Sequence, residues 1–123
     1  MTRAEMNWKI FRSVLPLVAL VAFVYYTKSL KPDYAEANRN LGNTLQEIGR
    51  YDEAEASYRQ AIALKPDYAQ AFNNLGVIMQ KYHKFEEARK IYTYAIVLKP
   101  DYATAYCNLG ITLQKLGLLK EAE

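Results

Sequence analysis

With 123 residues, one cysteine (Cys107) and one histidine (His83), the chain can form neither an internal disulfide nor a Cys/His metal cluster. The net charge is +3, yet residues 1–31 hold five Lys/Arg against one Glu, whereas residues 32–123 hold eleven Lys/Arg against twelve Asp/Glu. The basic balance belongs to the N-terminal segment, and the remainder carries no basic footprint for nucleic acid.

The first predicted element is an apolar helix. Fifteen uncharged residues, Ser13 to Thr27, lie between Arg12 and Lys28. As a helix they span roughly 22 Å at 1.5 Å per residue, short of a bilayer core of about 30 Å. Ile10 and Phe11 extend the apolar character, and Arg12 and Lys28 can snorkel outward. Trp8, Tyr25 and Tyr26 stand where interfacial aromatics stand. Apolar side chains surround this helix, which suits a buried or membrane-spanning segment rather than one lying flat on a surface. Pro16 is tolerable if it falls near the helix start.

Three readings of this segment compete. The preferred one is a single-pass membrane anchor through residues 13–27, N-terminus inside, although the flanking basic residues are nearly balanced. A cleaved signal peptide is disfavoured because no small-x-small site follows the run. The third is a structural helix, since Leu17, Leu20 and Val24 stand 34 residues before Tyr51, Ala54 and Tyr58.

The block Leu30-Lys31-Pro32-Asp33-Tyr34-Ala35 follows. It returns at Leu64 to Ala69 and at Leu98 to Ala103, each time after 34 residues. A constant period in this range signals a repeat array. The expected division is an apolar helix over 1–29 and an array over 30–123, with units 35–68, 69–102 and a truncated 103–123. Each unit reads as two helices. In the first unit Ala37, Leu41, Leu45 and Ile48 form one stripe, and Tyr51, Ala54, Tyr58, Ala61, Ile62 and Leu64 form another. Gly49, His83 and Gly117 stand at the break between them. Proline of the block stops the second helix, and aspartate is expected to cap the next, with Asp33-x-x-Glu36 and Asp67-x-x-Gln70 as capping boxes. Gly42, Gly76 and Gly110 recur inside the first helices, where glycine costs about 1 kcal/mol relative to alanine. Their repetition suggests a close helix approach against Tyr58 and Tyr92. With the sequence ending at Glu123, Leu109, Leu113 and Leu116 are expected to lack their usual cover, as in a fragment or an array that a partner completes.

The 34-residue period, Leu-Gly in the first helix, Ala54, Tyr58 and Ala61 in the second and Pro66 at its end resemble tetratricopeptide repeats over residues 30–123. The resemblance implies an all-α helix-turn-helix solenoid of about two and a half repeats. Asn38 departs from it, standing where later units have Phe72 and Tyr106. The resemblance also implies a concave groove lined by the first helices. At about 100° per residue, the lining comprises Glu36, Arg39, Asn40, Asn43, Gln46 and Glu47 in the first unit. The later lining comprises Gln70, Asn73, Asn74, Val77, Gln80 and Lys81, then Thr104, Cys107, Asn108, Ile111, Gln114 and Lys115. The candidate peptide contacts are Arg39, Asn40, Asn43, Gln46, Gln70, Asn73, Asn74, Gln80, Lys81, Thr104, Asn108 and Gln114. Two identical ladders stand out, Asn40/Asn74/Asn108 and Gln46/Gln80/Gln114. Amides both donate and accept, so a ladder can hold a peptide backbone, although repeat duplication alone also produces identical positions. Arg39, Asn43 and Asn74 match part of the carboxylate clamp of chaperone-binding arrays, but Thr104 and Asn108 replace its remaining basic residues.

No phosphate loop, nucleophile elbow or dinucleotide fingerprint is present, so a catalytic role, a cofactor and a small-molecule substrate are not expected. The expectation is a non-catalytic, membrane-tethered scaffold for a protein or peptide partner. The alternative is the leading part of a transferase, because Ala105 to Gly110 resembles the repeats of O-linked N-acetylglucosamine transferases and near-identical units also resemble bacterial arrays fused to glycosyltransferase or sulfotransferase domains.

Overall fold

The computed structural model describes residues 2–122, except the side chains of residues 27–29 and 122. The expected snorkelling of Lys28 and the placement of Glu123 lie outside the described residues. The elements are α1 (Arg3–Glu47), α2 (Tyr51–Leu64), α3 (Ala69–Lys81), α4 (Phe85–Leu98) and α5 (Ala103–Ala122), with no strand among the described residues. The chain divides into two compact units, Met1–Lys31 and Pro32–Glu123.

The first unit opens on a capping box that the sequence reading overlooked. Thr2 Oγ1 accepts the Glu5 amide at 3.2 Å, and Glu5 Oε2 accepts the Thr2 amide at 3.1 Å. This reciprocal pair satisfies two donors that a helix start leaves open. Because α1 begins at Arg3, Pro16 is well inside it rather than near its start. Trp8 and Phe11 stack with ring centroids 5.8 Å apart. The most apolar 18-residue window of α1 has a mean hydropathy of 1.8, and none of it is buried.

The repeated block behaves in two ways. In its second and third copies it is a turn. The Tyr68 amide donates to Lys65 O and the Tyr102 amide to Lys99 O, both at 3.1 Å, with proline second in each turn. In its first copy it is helical, and α1 runs through Pro32 and Asp33. Ala61 and Ala95 are buried just before the later turns, so packing holds those helices in place. The expected caps also do not form. Asp33 is inside α1, and α3 starts after Tyr68 with no side-chain cap bond.

In the second unit, α2 and α4 bury Ala54, Tyr58 and Ala61, and Ala88, Tyr92 and Ala95. These pack with Leu45, Leu75, Ile78 and Met79 as one core, and Ala35, Ala61, Tyr68 and Ala71 form a second cluster. Burying a large apolar side chain contributes about 1.5–3 kcal/mol, and small residues let the helices approach. The stripe expected on the first helix is shifted. Ala37, Leu41 and Ile48 are exposed, and the buried positions are Ala35, Gly42 and Leu45. Leu75, equivalent to Leu41, is 3 % exposed because α3 has packed neighbours on both sides, α2 and α4.

Gly49 and His83 end their helices with φ of +80° and +59°. Each break is closed by a six-residue bond, Arg50 N to Leu45 O at 2.8 Å and Lys84 N to Met79 O at 2.9 Å. Gly117 was expected to act likewise, but α5 passes through it to Ala122. Leu118, Leu119 and Lys120 are good helix formers and continue it. Leu113 is exposed as expected, whereas Leu109 and Leu116 are half-buried.

Candidate peptide-binding groove

The floor of the groove is built from the tyrosines of the second helices. Tyr58 lies in the notch left by Gly42 and Tyr92 in that left by Gly76. A Cβ on either glycine would stand 2.5 Å from the ring. The notch lets each hydroxyl cross to the first helix. Tyr58 Oη is 2.7 Å from Asn43 Oδ1 and 2.9 Å from Gln46 Oε1, and its one proton serves these two acceptors. Tyr92 Oη donates to Gln80 Oε1 at 2.6 Å. Burial pushes the Tyr58 hydroxyl up to about 12, opposed by Arg39 and reinforced by Glu47. Burial drives Tyr92 upward as well.

The Gln ladder therefore has a first task inside the protein. Gln46 and Gln80 accept tyrosine hydroxyls, and Gln80 Nε2 also donates to the buried Thr112 Oγ1 at 2.7 Å. Gln114 is exposed and makes no such bond. Two members of the Asn ladder join adjacent units. Asn74 Nδ2 donates to Asn43 Oδ1 at 2.9 Å, and Asn108 Nδ2 to Asn73 Oδ1 at 3.0 Å. Asn73 is 4 % exposed, so it lies beneath the lining rather than in it. Arg39 Nε donates to Tyr68 Oη, and its guanidinium carbon stands 5.6 Å from that ring's centroid. Burial raises the Tyr102 hydroxyl above its ordinary range, against the lowering pull of Arg39 and Asn73. Asn40, Lys81 and Thr104 are exposed, and Gln70 is half-buried.

Two clefts open along this face, at positions related by the 34-residue step. The first, about 330 Å³, is lined by Asn43, Gln46, Glu47, Tyr51, Asn74 and Lys81. The second, about 560 Å³, is lined by Val77, Gln80, Lys81, His83, Phe85, Ile111, Lys115, Leu118 and Leu119. The candidate set thus gathers Asn43, Gln46, Asn74, Gln80 and Lys81 at the clefts. Leu118 and Leu119 were missed because a break was expected at Gly117, and Phe85 because the lining was sought only on the first helices. Shifting Tyr51 by 34 residues would have found Phe85.

The sequence profile of the TPR repeat matches residues 42–81 and 84–117. The chain belongs to the TPR (tetratricopeptide) repeat family. Solved structures agree. The second TPR of Spaghetti (RPAP3), bound to the HSP90 peptide SRMEEVD, is 32 % identical with a TM-score of 0.70, over 77 % of this chain and 87 % of that one. The second TPR domain of human RPAP3, in complex with the HSP70 peptide SGPTIEEVD, is 28 % identical with a TM-score of 0.61, over 63 % of this chain and 65 % of that one. MamA is 32 % identical with a TM-score of 0.65 over 72 % of this chain, which spans about half of MamA, 52 %. No curated protein matches the sequence. As a TPR array the protein has the architecture of an interaction scaffold.

Proposed function

We propose that this TPR protein is a membrane-tethered scaffold that holds an extended peptide or partner helix in its groove. The observation that carries the reading is the pair of adjacent clefts on the first-helix face, one polar and one apolar, of about 330 and 560 Å³. Ligand-sized concavities of this kind are few on a small protein. The peptide complexes of the two RPAP3 domains support it. A terminal carboxylate is a poor fit as the sole anchor. Thr104 and Asn108 offer no charge, and Arg39 is bonded to Tyr68, whereas carboxylates are held best by charge-assisted donors. Tethering rests on the uncovered apolar stretch of α1. Its exposed side chains include Leu17, Val18, Leu20, Val21 and Phe23, which water does not tolerate as a continuous surface.

One experiment tests both parts. The full chain and a chain lacking residues 1–29 are fractionated after a carbonate wash, and each is then titrated against an immobilised peptide library. The full chain is expected to sediment with membranes and the shortened one to stay in solution, with the same peptides bound by both. A full chain that stays in solution after the wash removes the tether, and absence of any peptide binding removes the groove.

A further inference from the structure

Across the three units the Asn and Gln ladders are identical, as are the helix-packing glycines. Most ladder amides that reach a neighbour already have a protein partner. The other four lining positions vary, Glu36/Gln70/Thr104 and Arg39/Asn73/Cys107 among them, and two of the four change the character of the second cleft. Asn43 becomes Val77 and then Ile111, while Glu47 becomes Lys81 and then Lys115. The groove passes from polar with an acid to apolar with two bases.

We propose that these varied positions select the ligand, and that the second cleft takes an internal peptide segment whose large apolar side chains stand beside carboxylates. This rests on the peptide-binding reading above and assigns the ligand chemistry within it. Val77, Phe85, Ile111, Leu118 and Leu119 give the cleft an apolar lining. Ile111, Leu118 and Leu119 remain 49 %, 55 % and 52 % exposed. Lys81 and Lys115 flank it, and no Asp or Glu is among its lining residues. Neither lysine forms an ion pair among the described residues. An apolar anchor gains by leaving water, and two ammonium groups outside any ion pair favour acidic over basic flanks. The same charges argue against the N-terminal segment of a second copy, which carries Arg3, Lys9 and Arg12.

The repeat supplies its own substitutions for the test. Val77→Asn with Ile111→Asn places at both sites the residue that the first unit has at Asn43, and Lys81→Glu with Lys115→Glu copies Glu47. The full chain in lipid nanodiscs is titrated by fluorescence anisotropy with three labelled, C-terminally amidated peptides. One has two leucines bracketed by glutamates, one has lysines for the glutamates, and one has serines for the leucines. The glutamate-bracketed leucine peptide is expected to bind at least about tenfold more tightly than either other, as burial of apolar side chains predicts. The asparagine pair is expected to lose about that factor, and the glutamate pair to reverse the preference between acidic and basic flanks. Equal binding of all three peptides overturns the proposal. So does undiminished binding by an asparagine pair whose helical circular dichroism is unchanged. Loss of binding in Asn43→Ala with Asn74→Ala, with the second-cleft variants unaffected, overturns this assignment and leaves the groove reading standing. Failure of the wild-type chain to bind any peptide of the library removes both.

Discussion

A tyrosine ring needs a gap to cross from one helix to the next, and Gly42 and Gly76 provide it. With Cβ positions 2.5 Å from Tyr58 and Tyr92, neither site has room for a methyl group. At Gly110 nothing lies within 4 Å of the same position. Three chemically identical residues therefore predict opposite outcomes. Gly42→Ala and Gly76→Ala force ring and helix apart and are expected to destabilise by about 1–3 kcal/mol. Gly110→Ala is expected to stabilise by up to about 1 kcal/mol through helix propensity alone. Urea denaturation followed at 222 nm separates the three, and equal effects at all three positions would refute the notch. The same scale shows how far the site was legible. The spacing of Asn40, Asn74 and Asn108 could be read directly. Their partners could not, because each depends on a neighbour. Asn43 accepts from Asn74, but Val77 in the equivalent place has no acceptor, so Asn108 turns to Asn73.

Helix ends in this chain are decided by packing as much as by the local residue. His83 holds a left-handed backbone at φ +59° that glycine adopts without Cβ strain. His83→Gly is therefore expected to raise stability by about 1 kcal/mol, less the greater freedom glycine gives the unfolded chain. Gly49→Ala, at φ +80°, is expected to lower it by a similar amount. Thermal melts should show shifts of about 4–8 °C per kcal/mol, in opposite directions; a His83→Gly chain that melts lower would remove the strain argument. Helix type was legible because a 3.6-residue stripe and a fixed period are strong signals, but the number was not, since α1 joins the apolar helix and the first repeat helix that were expected to be separate. Nor were two boundaries. The block at Pro32 has the same residues as that at Pro66, and Gly117 has the same residue as Gly49. Where the breaks do form, buried residues lie just before them, Leu45 before Gly49 and Ala61 before Pro66, and their packing depends on partners elsewhere in the sequence.

At the scale of the whole array, stability is a sum of interfaces between adjacent helices, and tyrosine hydroxyls sit in several of them. Tyr58 is pushed up to about 12 by burial, Tyr92 is driven up by burial, and Tyr82 reaches about 12 mainly through its bond to Asp52 across the α2–α3 interface. An unfolded tyrosine titrates near 10. Between about 10 and 12 the native state keeps protons that the unfolded chain has lost. The unfolded chain then binds fewer protons, so stability falls with rising pH. The contribution of these hydroxyls is fully present below pH 10 and is lost as pH rises through the folded values. The urea midpoint should be flat with respect to these groups from about pH 8 to 9.5 and decline beyond about 10. Replacing Tyr58 and Tyr92 with phenylalanine removes two of the coupled groups. Both rings stay in the glycine notches, so the array should still fold with a lower midpoint at neutral pH and a shallower alkaline decline. An alkaline slope unchanged in the double phenylalanine variant would place the coupled protons elsewhere and refute the hydroxyl linkage between units.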